Sequence, residues 1–75
     1  MARRYKSFSE FKGAVLARLP SLKPHFDAIE SNVGVSEVVL HHLYVILRSL
    51  HAVGLYDLLP TEEDVVDFMD RYVGG

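Results

Sequence analysis

The chain contains no cysteine, which excludes disulfides and thiolate metal sites and leaves the redox compartment open. It has no apolar run of membrane-spanning length. The longest apolar stretch, residues 36–53, is interrupted by His41, His42 and Arg48 before about 18 clean residues accumulate. The opening MARRYKSFSEF is basic but has no apolar segment behind it, so a secretory signal is not expected. There is no Gly-rich phosphate loop, no nucleophile elbow and no Ser/His/Asp constellation. No internal repeat or low-complexity segment is visible. These absences remove the usual signatures of an enzyme. The expectation is a non-catalytic cytoplasmic protein with no cofactor.

What the chain does have is apolar content, 49% of 75 residues. That is enough for a core and too much for a disordered tail. A chain this short makes one domain at most and buries only about 60% of its unfolded surface. With no disulfide to assist, self-association or a partner is expected to supplement the core.

The segment SEVVLHHLYVILRSLHAV, Ser36 to Val53, organises the reading. As a helix it places Glu37, His41, Tyr44, Arg48 and His51 or Ala52 on one narrow polar stripe, following the 3.6-residue turn. The rest of its circumference is Val, Leu and Ile, so other segments should wrap it. Before it, Ser7-Phe8-Ser9-Glu10 has the form of a capping box opening a helix over 8–19, with Phe8, Phe11, Val15 and Leu19 on one face. Pro20 stops that helix. Ser21 can cap a second helix over 22–31, burying Leu22, Phe26 and Ile29. Asn32 or Gly34 supplies a left-handed residue after it. Ser36 is read as the cap of the central helix, with Val35 and Leu40 as its hydrophobic staple.

Gly54 closes the central helix. The apolar connector 55–60 is expected to form a short helical turn against the core. Thr61 then caps a last helix over 62–73, with Asp64 in the capping-box position and Val65, Val66, Phe68, Met69, Tyr72 and Val73 inward. The fold class expected is all-α: four short helices around the central one, in a single domain over 7–73, with a basic lead-in at 1–6 and a Gly-Gly tail at 74–75.

Charge is divided along the chain. Residues 1–25 carry six basic residues against one carboxylate, a net +5; residues 26–75 carry two against nine, a net −7. The simpler consequence is that the basic first third folds onto the acidic last third. The sharper one is two patches for two partners.

Neither the histidines nor the carboxylates make a recognisable site. His41 and His42 are adjacent, hence about 100° apart on a helix, and His25 stands alone on another. The spacing lacks the two histidines one turn apart of a helical zinc motif. The run Glu62, Glu63, Asp64, Asp67 and Asp70 lacks the alternating oxygens and glycine bend of a calcium loop, and reads as a solvated helix face. No metal site is expected.

The stretch FDAIESNVGVSEVVLHHL, Phe26 to Leu43, resembles a helix-turn-helix DNA-binding unit. Gly34-Val35-Ser36 falls at its turn, Leu40 and Leu43 at its buried positions, and Ile29 and Val33 on its first helix. The resemblance implies a second helix in the major groove. Here Glu30 stands where the family has a small residue, and the surface Glu37, Val38, His41, His42 offers no side chain of the types that read base edges. A basic arm at Arg3, Arg4 and Lys6 would have to provide the phosphate contacts. The terminal Gly74-Gly75 resembles the end of ubiquitin-like carriers and the double-glycine site of some peptide leaders. The first needs a β-grasp fold, the second a product peptide beyond Gly75, and a glycine C-cap is the simpler account.

The functional expectation is a protein–protein interaction module that dimerises through the central helix. Val38, His42, Tyr44, Val45 and Leu55 are expected near the interface. DNA binding through Arg3, Arg4, Lys6 and the 26–43 unit is the alternative.

Overall fold

A computed structural model describes residues 4–73. Ser7 opens α1 (Phe8–Arg18) in extended geometry, its Oγ accepting the Glu10 amide at 3.2 Å. Phe8, Phe11 and Val15 are buried along one face. Pro20 ends the helix as expected, but the chain does not straighten there. A 3₁₀ turn (Pro20–Leu22) runs directly into α2 (Lys23–Ser31), with Leu22 already near helical dihedrals. Ser21 therefore lies inside the turn and caps nothing: a side-chain cap needs an extended residue at the helix entrance, and there is none.

Asn32 folds its side-chain amide back onto the Ala28 carbonyl at 2.7 Å, and Gly34 takes φ +90°. The Gly34 amide donates to the Tyr72 carbonyl at 2.7 Å, which fastens the α2–α3 turn to the far end of the chain. The central helix, α3 (Ser36–Ala52), begins at the expected cap residue itself, one position earlier than expected. The Val35 carbonyl already accepts the Val39 amide at 3.0 Å, so Val35 is the cap and Ser36 the first helical residue. The staple is absent for the same reason, and Val35 and Leu40 are both exposed.

The end of α3 is well specified. The Gly54 amide donates to His51 at 3.2 Å and the Leu55 amide to Leu50 at 2.9 Å, with Gly54 at φ +79°. This paired bonding is the Schellman arrangement, which satisfies the last carbonyls and turns the following apolar residue back onto the helix. Leu55 duly packs on the core, and the connector forms a second 3₁₀ turn (Tyr56–Leu58) with Leu58 buried. Thr61 Oγ1 accepts the Asp64 amide at 3.2 Å at the head of α4 (Glu62–Val73).

Four α-helices and no strand occur among the described residues, as the apolar periodicity required. The radius of gyration, 11.3 Å, is what a compact chain of this length has. The core is Val39, Leu43, Ile46 and Leu50 of α3 met by an aromatic group from the other segments. Tyr5, Phe8, Phe11, Phe26, Phe68 and Tyr72 pack with ring centroids from 4.7 to 5.9 Å apart. Such edge and offset contacts add to the area they bury. Two positions expected on the α4 faces are reversed: Val66 is exposed, and Asp64 is buried.

Candidate functional site

Helical periodicity divides α3 into three longitudinal strips. Val39, Leu43, Ile46 and Leu50 face the core; Val38, His42 and Val45 are half-buried along one flank; Glu37, Leu40, His41, Tyr44, Arg48 and His51 face outward. The outward strip contains the expected polar stripe together with Leu40, whose side chain is 55% exposed, and Tyr44 at 61%. Large apolar side chains at the margins are also uncovered: Val33 and Val35 before α3, Val53 and Tyr56 after it, and Val66 on α4. The Tyr56 ring lies against His51, centroids 5.2 Å apart.

The five residues expected at an interface are thus not on one strip. Tyr44 is open, while Val38, His42 and Val45 share the flank that α2 partly covers. Leu55 packs on its own core through the Schellman turn.

His42 meets a partner that sequence spacing could not supply. Its Nδ1 lies 2.9 Å from the Nδ1 of His25 on α2, so one ring donates and the other accepts. His25 is not solitary. Burial first, then the neighbouring imidazoles of His25 and His41, lower the pKa of His42 below the ordinary histidine value. His42 therefore stays neutral to lower pH than a free imidazole would. Among the described residues, no three histidine or carboxylate side chains converge as a metal would require.

Of the basic arm, Arg4 is engaged by carboxylates of α4. Arg4 makes ion pairs with Asp64 at 3.0 Å, Glu63 at 3.2 Å and Asp67 at 3.6 Å. Arg4, Glu63 and Asp67, with Glu62 and Val66, border an open cleft of 330 Å³. Lys6 is exposed, and Arg3 lies outside the described residues, as does Gly74-Gly75. Glu30, which departs from the helix-turn-helix pattern, is held at the surface by Lys12 at 2.6 Å. That hydrogen bond is the main reason the Lys12 pKa is raised. With Lys23 paired to Asp27 at 2.9 Å, three basic residues of the first third are neutralised by carboxylates of the rest. Half of the six basic residues in the first third are thus paired, and among the described residues only Arg4 pairs with the acidic last third.

Asp64 is the residue that the sequence hid. Tyr5 donates its backbone amide to Asp64 Oδ2 at 2.9 Å and its hydroxyl to the Leu58 carbonyl at 2.7 Å. Asp64 and Tyr5 together tie the N-terminal segment across the start of α4.

The fold and this surface define a small all-α domain with an uncovered strip on its central helix. No family model matches the chain, and no match was found among curated proteins or solved structures. No helix among the described residues is long and apolar enough to cross a membrane.

Proposed function

We infer that this is a non-catalytic protein–protein interaction domain that associates with itself through α3. The supporting observation is the exposure of Leu40 and Tyr44 one turn apart on the outward strip of an otherwise core-forming helix. A large aromatic beside an aliphatic side chain, ringed by charges, has the make-up of an interface centre. Leu40→Glu together with Tyr44→Glu tests this in light scattering over a concentration series. The wild-type chain is expected to dimerise and the variant to remain monomeric with an unchanged helical spectrum. A wild-type chain that stays monomeric sinks the reading.

DNA binding by the 26–43 unit is the competing reading. Against it stand the acidic and apolar character of Glu37, Leu40 and Tyr44 on α3 and the pairing of Arg4 with three carboxylates. A labelled mixed-sequence duplex, titrated at low and at physiological salt, separates the two. Binding that falls steeply with salt would favour the competing reading through counterion release.

A further inference from the structure

The geometry points to a second copy of this chain lying antiparallel across the outward strip of α3, with Glu37 of each copy against Arg48 of the other. This rests on the self-association reading above and gives it an orientation. Glu37 and Arg48 are both exposed, and no ion pair engages either one among the described residues. They stand eleven positions apart, three helical turns or about 16 Å, on the same side of the helix. A strip with an acid near one end and a base near the other complements itself only when reversed.

A two-fold axis running between the two α3 helices, level with His42 and Leu43, brings Glu37 to Arg48 and His41 to Tyr44. Each contact occurs twice, as a closed isologous interface requires. Each charge thus meets its opposite, with the exposed Leu40 and Tyr44 of both copies between them. A parallel arrangement would set Glu37 against Glu37 and Arg48 against Arg48, like charges at both ends, which disfavours it.

The test is sedimentation equilibrium on the full chain and three variants: Glu37→Arg, Arg48→Glu, and the two combined. Both side chains are on the surface, and circular dichroism checks that each variant folds. Each single variant replaces two attractive contacts with two repulsive ones and should raise the dimer Kd about tenfold. The double variant restores opposite charges across the axis and should return to the wild-type Kd. Rescue by the double variant, with loss in both singles, is the signature of the antiparallel arrangement. If all four proteins dimerise equally, this orientation is overturned while self-association stands. A wild type that is monomeric up to about 1 mM overturns both.

Discussion

Asp64 accepts the backbone amide of Tyr5 at 2.9 Å although the two lie 59 positions apart, and its side chain is 1% exposed. A carboxylate so placed is retained by its hydrogen bonds, here reinforced by Arg4. Replacing it should therefore cost far more than replacing the exposed acids beside it. Asp64→Ala leaves a buried N–H without its acceptor and is expected to lose about 2–3 kcal/mol. Asp67→Ala, touching Arg4 only at 3.6 Å in solvent, should lose less than about 0.5 kcal/mol. Urea unfolding of both variants checks the contrast. Equal losses would mean that Asp64 contributes no more than a surface charge.

The same tether has a second anchor. Tyr5→Phe keeps the ring in its edge contact with Phe11 but removes the hydroxyl that donates to Leu58. The expected loss is about 1–2 kcal/mol, with the native helical spectrum retained.

The His25–His42 pair predicts a slope in stability with pH. The folded-state pKa of His42 is depressed below 6.5, so the unfolded chain binds a proton more readily than the folded one. Protonation then favours unfolding. The urea midpoint should be at its full value above about pH 6.5 and decline as pH falls below it. Placing charge on both rings would also set two N–H groups head to head at 2.9 Å. The groups acting on His42 are His25 from α2 and His41 from α3. His42→Gln should flatten the slope between about pH 7 and pH 5. An unaltered slope in that variant would assign it to other groups.

Three glycines should respond differently to alanine. Gly54 holds φ +79° in the Schellman turn and Gly34 holds φ +90° before α3. Alanine at either is expected to cost about 1–2 kcal/mol. Gly13 lies inside α1 with open space where a Cβ would go. Gly13→Ala should stabilise the protein by about 1 kcal/mol, read as a higher thermal midpoint.

The parts of the fold that follow from local periodicity were legible in the sequence. The polar stripe of α3, the Ser7 and Thr61 caps, the glycine stops and the apolar 3₁₀ connector all depend on residues close together in the chain. What was not legible depends on register between segments. Nothing in a run of five carboxylates marks Asp64 as the buried one; that follows from where Tyr5 lands. Nothing in the spacing of His25 and His42 reveals that α2 and α3 bring their rings together. Ser36 misled for a different reason. A good capping side chain does not fix a helix start when the preceding residue's carbonyl can accept the first bond. Of the surface residues, Tyr44 was recognisable from the stripe. The exposure of Leu40 was not, because an apolar residue beside an apolar strip reads as core until the neighbouring helices are placed.

The long reach between Tyr5 and Asp64 also bears on the order in which the chain assembles. The α2–α3 pair involves neighbours in sequence and can form early. Closing residue 5 onto residue 64 must overcome the entropy of a loop nearly as long as the chain, so it belongs late in folding. The first turn of α1 and the whole of α4 should then open together, as one cooperative unit, ahead of the α2–α3 pair. Amide hydrogen exchange reads this directly: α1's start and α4 share one opening free energy, and Asp64→Ala lowers it for both at once.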